Sequence, residues 1–124
     1  MTARPVKVHD LLSGRADAPG VRVLVDRLWP RGVAKMDLAY DLWLGGAAPS
    51  AELRRWFGHA PRRFEEFRRS YEEELNAGND DVTRLRRLAH EGDVALLFAA
   101  RDRRYNHAVV LAQWLASRGG HTVK

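Results

Sequence analysis

Two short polar segments hold most of the side chains in this chain that can grip a charged group or move a proton. The first is Asp26-Arg27-Leu28-Trp29-Pro30-Arg31-Gly32, and the second runs from Arg101 to His107 through Asp102 and Asn106. The first combines a carboxylate, two guanidiniums and an indole. A guanidinium is a planar fork that holds phosphate or carboxylate at two points, and an indole face can stack on a ring. The structural alternative for the same residues is an Asp26 ion pair with Arg27 or Arg101, with Trp29 in the core. In the second segment Asn106 reads as a helix cap and His107 as the first helical residue. Backbone N–H groups at such a start favour an anion. The helix dipole there favours the uncharged imidazole, which can accept a proton. His59, after Trp56 and Phe57, can reach such a site or cap its own helix. His9, His90 and His121 carry no pattern.

These side chains meet only if the elements before them are neighbours. Val21-Arg22-Val23-Leu24-Val25, bounded by Gly20, reads as a buried strand. Val94-Ala95-Leu96-Leu97-Phe98-Ala99 is continuous and apolar, as in a central parallel strand covered on both faces. Each ends in one of the polar segments, and ligands of open parallel sheets bind outside the carboxyl ends of strands. A shared pocket is the expectation.

Val6-Lys7-Val8 suggests a short strand before a turn-rich stretch. Residues 36–43 fit a strand period and a helix face equally. Ser50 caps a predicted helix over 51–57, with Glu52 in its first turn. Pro61 opens the clearest helix, to about Asn76, with Phe64, Phe67, Tyr71 and Leu75 on one face. Its other face sets Arg62–Glu66, Glu65–Arg69, Arg68–Glu72 and Arg69–Glu73 four apart, each pair worth about 0.2–0.5 kcal/mol. Asn79 or Asp80 caps a helix ending at Gly92, and Asn106 caps a last one to about Arg118, stopped by Gly119-Gly120. Strand, helices, strand, helix implies a single α/β domain over residues 1–124. Its expected form is a small three-layer fold with a short, mostly parallel sheet flanked by helices.

With 124 residues, 45% of them hydrophobic and 30% charged, the chain suits one globular domain. It has no cysteine, which excludes disulfides, thiolate nucleophiles and cysteine-held metals. Metal and cofactor are both expected to be absent: Asp26, His59, Asp102 and His107 share no recognised ligand spacing. No Gly-rich phosphate loop, GxSxG or HExxH occurs. No apolar run is long enough for a bilayer and no apolar stretch follows Met1–Pro5, so the expected setting is cytoplasmic and off the membrane. Net charge is +5, and all basic residues except Lys7, Lys35 and Lys124 are Arg. That permits nucleic-acid binding, but Glu65, Glu66, Glu72, Glu73 and Glu74 break any continuous basic stripe.

Val23–Gly32, Ala48-Pro49-Ser50, Leu53–His59 and Asn106–Leu111 together resemble the YeaO-like family of small bacterial domains, over most of residues 21–115. The resemblance implies a compact α/β domain and supplies no activity. The wider superfamily looks as if it often carries Cys near the second strand end and the following helix start. Here that region holds Ala99, Ala100, Asn106 and His107, so no thiol role carries over. The expected function is a site for a small anionic or phosphate-bearing ligand, with Arg27, Arg31 and Arg101 holding the anion. Asp26 and His107 are its candidate catalytic pair, and Trp29, Asn106 and His59 its other contacts. The alternatives are an Arg-rich nucleic-acid module and a non-enzymatic interaction protein.

Overall fold

Val94–Phe98 is buried at every position because it is flanked on both edges and covered on both faces. In the computed structural model, which describes residues 2–119, it is the fourth strand in sequence and an inner strand of the sheet. The four strands, β1 (Ala3–Lys7), β2 (Val21–Leu24), β3 (Leu42–Trp43) and β4 (Val94–Phe98), lie in the order β1-β4-β2-β3. All pairings are parallel. β2 and β4 are direct neighbours, Val21 opposite Val94 and Leu24 opposite Leu97, so their carboxyl ends finish side by side.

Alternation along β4 divides the core. Val94, Leu96 and Phe98 point into a large cluster with Phe57, Phe64, Phe67, Tyr71, Leu85, Leu111 and Trp114. These come from α2 (Ala51–Phe57), α3 (Phe64–Ala77), α4 (Asp80–Glu91) and α5 (His107–Trp114). Ala95 and Leu97 point the other way, onto Val6, Val8, Ala18, Leu24 and Leu38, with Trp29 and Tyr40 packed at the margin. That second face is covered by α1 (Val8–Leu12) and by irregular chain, so the outer layer there is thin.

The chain moves across the sheet in one direction from β1 to β2 to β3 and returns to β4. The outward connections lie over the thin face and the return over the helical face. A right-handed crossover demands this switch of face when the direction reverses. The consequence is local to β2 and β4: after β2 the chain turns toward Trp29 on one face, and after β4 it enters α5 on the other. Neighbouring strands whose connections leave to opposite faces open a crevice between them.

Local chemistry sets the element ends. Ser50, Asn79 and Asn106 each accept the backbone N–H three residues on, at 3.1, 2.9 and 3.0 Å, satisfying donors a helix start leaves orphaned. Three sequence readings need correction. Val8 belongs to α1 rather than to the first strand. Residues 36–43 are neither one strand nor one helix: a 3-10 turn over Lys35–Asp37 precedes the two-residue β3. Asp41 holds that strand to its neighbour by exchanging hydrogen bonds with Arg22. On α3, Arg68 pairs with Glu65 three residues back at 3.7 Å, and none of the four expected pairs forms among the described residues. α5 passes into a π-turn at Leu115–Gly119, while Gly120 and His121 lie outside the described residues. No helix of the described residues is long and apolar enough to cross a membrane.

Gly20, just before β2, has φ +92°, and a Cβ there would sit 2.7 Å from the Asp93 carbonyl carbon and nearer still to its oxygen. That oxygen accepts the Val21 N–H at 3.0 Å and starts the β2–β4 ladder. Gly20→Ala is therefore expected to cost about 2 kcal/mol through strain and displacement of this bond, read as a lower urea midpoint.

Candidate functional site

The crevice at the ends of β2 and β4 is a cavity of about 540 Å³. Its walls come from four segments: Asp26–Arg31 after β2, Ala99 and Ala100 after β4, Asn106 and His107 at the start of α5, and the α2 region. The last supplies Ala48, Pro49, Arg54, Arg55, Phe57 and His59, with Phe67 of α3 behind it. Of the residues predicted from sequence, Asp26, Arg27, Trp29, Arg31, His59, Asn106 and His107 all line this cavity. Arg101 does not. The chain turns from Ala100 toward β1, where the Arg101 carbonyl accepts a hydrogen bond from Lys7 Nζ at 2.8 Å, and its side chain is exposed.

Asp26 and His107 form the floor, with side chains 15% and 12% exposed. Asp26 Oδ2 accepts the Ala99 N–H at 2.9 Å, tying the two strand ends together. Its other oxygen, Oδ1, is fully buried and accepts no hydrogen bond of proper geometry. The nitrogen beside it is His107 Nε2, at 3.2 Å. The same nitrogen lies 3.0 Å from the Val25 carbonyl. A carbonyl only accepts, so Nε2 must carry the hydrogen, and any proton-accepting role falls to Nδ1. The alternative pairing of Asp26 with Arg27 or Arg101 does not occur.

Arg27 is committed to structure. Its Nε and Nη2 donate to the carbonyls of Ala48 and Pro49 at 3.2–3.3 Å, fixing the segment that leads into α2. Trp29 is held edge-on against Tyr40 and Trp43, with ring centroids 5.4 and 5.6 Å away, and its Nε1 donates to the Val33 carbonyl at 2.6 Å. It is half-buried, part core and part cavity rim. Trp43 Nε1 donates to the Asp26 carbonyl at 2.7 Å and so anchors the loop from the β3 side. Asn106, 2% exposed, spends both ends of its amide on backbone: Oδ1 caps α5 and Nδ2 donates to the Asp102 carbonyl at 2.8 Å. Asp102 accepts the N–H groups of Arg104 and Tyr105, and these bonds hold its carboxyl below the usual carboxylate range. His59 adopts φ +57°, a conformation uncommon for a side-chain-bearing residue, directly after the left-handed Gly58 that ends α2.

Sequence reasoning missed Arg54 and Arg55. Both stand in the last turn of α2, are exposed, and line the cavity. With Arg27 and Arg31 they surround it with four guanidiniums, against one lining carboxylate, Asp26. Arg31, Arg54 and Arg55 have no carboxylate partner among the described residues. The remaining wall is apolar: Leu28, Pro30, Phe57 and Phe67. Among the described residues no Ser, Thr, Tyr or Lys side chain lines the cavity. Among the described residues no cluster of three or more His, Asp or Glu stands where it could hold a metal ion.

Comparison with known proteins gives relatives of the same size. The chain is similar to an uncharacterized protein of Mycobacterium tuberculosis, 44% identical over 99 residues covering 80% of this chain and 83% of the relative. It is equally similar to the uncharacterized protein YeaO of Escherichia coli, 44% identical over 98 residues covering 79% and 85%. No solved structure matches. A family model described as the inactive DUF488-N3 subclade matches residues 6–121. With nearly the whole chain matched, this protein belongs to the DUF488-N3i family and is a YeaO-like bacterial-type α/β domain.

Proposed function

We propose that this protein binds a small anionic ligand in the cavity at the ends of β2 and β4 and does not turn it over. The observation that carries the reading is the charge imbalance of the lining, four arginines against one carboxylate, with none of the four paired to a carboxylate among the described residues. Uncompensated guanidiniums around a concave, partly apolar surface attract an anion and hold it through charge-assisted hydrogen bonds. The volume lies within the range of small-molecule sites, and the Leu28, Pro30 and Phe57 wall suits the uncharged remainder of a ligand.

Two observations favour binding over catalysis. Among the described residues the lining offers no hydroxyl, thiol or amine nucleophile, and the matching family is described as an inactive subclade. In this reading Arg31, Arg54 and Arg55 hold the anion, Arg27 and Asn106 keep the walls in place, and Asp26 orients His107.

Thermal melts and Trp fluorescence with inorganic phosphate, pyrophosphate, a sugar phosphate and a nucleoside monophosphate test this, with the matching uncharged sugar and nucleoside as controls. A ligand at one hundred times its Kd adds about 2.7 kcal/mol and raises the midpoint by several degrees. Arg54→Ala/Arg55→Ala should weaken binding about tenfold or more, a loss of about 1.4 kcal/mol or above. Equal responses in parent and double variant, or none to any anion, would sink the reading.

A further inference from the structure

The cavity floor contains a buried oxygen that the binding reading leaves unused. Asp26 Oδ1 is closed to solvent and has no hydrogen bond, and the group beside it is His107 Nε2 at 3.2 Å. That nitrogen already faces the Val25 carbonyl, so its hydrogen stands between two acceptors. Among the described residues His107 Nδ1 has no hydrogen-bond partner, and Asp26 Oδ1 alone is both fully buried and unpartnered. Nδ1 is therefore open, and the ring it belongs to lines the cavity. We propose that the cavity takes a tetrahedral oxyanion, a phosphate or sulfate group, and that its binding charges His107, which donates from Nδ1 to the anion and from Nε2 to Asp26. The inference rests on the anion-binding reading above and adds the chemical class of the bound group and a coupled proton.

The charges around the ring supply the reason. Asp26, at the end of β2, is the one group beside it that favours an imidazolium. Across the cavity stand the guanidiniums of Arg54 and Arg55 of α2 and of Arg27 and Arg31 of the loop, with His59 just beyond α2. The turn after β4 contributes only Ala99 and Ala100. From α3, Tyr71 approaches edge-on at 6.3 Å, with burial pushing its hydroxyl well above the ordinary tyrosine value, so it stays neutral. The first turn of α5 itself carries no acidic residue. An anion seated among the arginines cancels their repulsion and presents an acceptor to Nδ1. With Asp26 waiting behind the ring, the charged form becomes the better-bonded one. The proton comes from solvent, no covalent bond changes, and the buried carboxylate gains the charge-assisted partner it lacks.

The choice of a tetrahedral group follows from the directions of the donors. Arg31 comes from the β2 loop, Arg54 and Arg55 from α2, and His107 from α5. A planar carboxylate offers two oxygens on one edge, whereas phosphate and sulfate present oxygens on every side and can meet donors from three elements at once.

Isothermal titration of the full chain with inorganic sulfate, in buffers of different ionisation enthalpy near pH 7.5, counts the protons taken up. Sulfate does not titrate there, so every proton counted enters the protein. The expected result is uptake approaching one proton per bound sulfate, with sulfate affinity rising by up to about tenfold per unit fall in pH. Inorganic phosphate should compete for the same site. His107→Gln and Asp26→Asn should each abolish the uptake, whereas His90→Gln, exposed on α4 and away from the cavity, should leave it intact. Should either of the first two fail to fold, the parent protein still decides the matter: the imidazole nitrogen resonances must move to the imidazolium position for one ring on sulfate addition. Sulfate binding without uptake, or uptake that survives His107→Gln or disappears with His90→Gln, overturns the proton coupling and leaves anion binding standing. No sulfate or phosphate binding at all overturns both.

Discussion

Phe67→Ala is expected to lower the free energy of unfolding by about 3–5 kcal/mol, the range for emptying a buried aromatic site. The ring is 2% exposed and stacks on Phe57 with centroids 4.4 Å apart and planes 22° from parallel. It also packs against Phe64 at 6.0 Å and Tyr71 at 5.8 Å, so one truncation removes three aromatic contacts. Against a total stability of about 5–15 kcal/mol for a domain, that is a large fraction. Position within the range depends on how far the neighbours can close over the gap. Here closure is restricted on one side by β4, through Phe98 and Leu96 in the same cluster, and on the other by the cavity, which offers space rather than atoms. A value in the upper half is expected from urea unfolding. The same change should reach the ligand site. Phe57 sits at the end of α2 and rests on Phe67, so losing that support frees the turn carrying Arg54 and Arg55. Weaker sulfate or phosphate binding in the variant, measured well below its unfolding midpoint, is the companion result. A loss under about 1 kcal/mol would mean that the aromatic stack does not hold α2 in place.

How much of this was legible in the sequence follows from which interactions are local. The strand ends at Asp26 and Ala99 could be placed because an apolar β-branched run followed by charge reads the same in any context, and the parallel pairing of two such runs brought their loops together. The caps at Ser50, Asn79 and Asn106 were equally local, each a side chain bonding its own helix start. α1 escaped notice because Val8–Leu12 is a single turn and a half, too short for periodicity to register. β3 was ambiguous because its two residues are held by Arg22 and Asp41 exchanging hydrogen bonds across 19 positions, not by any pattern of their own. The errors in the site have the same origin. Arg101 follows a strand end, as a ligand-binding residue would, but the turn after Ala100 leads toward Lys7 instead. Arg54 and Arg55 look like ordinary solvated arginines in a short helix. Their place on the cavity wall depends on how Leu53 and Phe57 of that helix seat in the core, a packing event no window around residue 54 contains.

Tyr71 carries the second large effect, and it appears only in alkali. Its ring is fully buried, its hydroxyl donates to the Ala47 carbonyl at 2.5 Å, and burial, reinforced by the negative charges of Glu74 and Asp26, pushes its ionisation well above the ordinary value of 10.0. The folded state thus keeps the proton at a pH where the unfolded chain has released it. Stability supplied by the neutral phenol is complete below pH 10 and is lost as pH rises from there toward the folded-state value. The slope is about 1.4 kcal/mol for each pH unit in that window. Urea midpoints between pH 8 and pH 12 should fall steeply beyond pH 10. Tyr71→Phe removes the titrating group and should flatten that decline. The variant starts from a lower plateau near neutrality, by about 1–3 kcal/mol, because the buried Ala47 carbonyl loses its donor. A parent protein whose stability is level through pH 11, or a Phe variant that declines as steeply as the parent, would show that Tyr71 reaches water in the native state. That result would also bear on the site, since the ring stands between His107 and the polar pocket of Ser50 and Glu74, where Glu74 accepts both the Ser50 N–H and hydroxyl. Asp26, 3.2 Å from His107 Nε2, is the carboxylate in ion-pair range of that ring among the described residues.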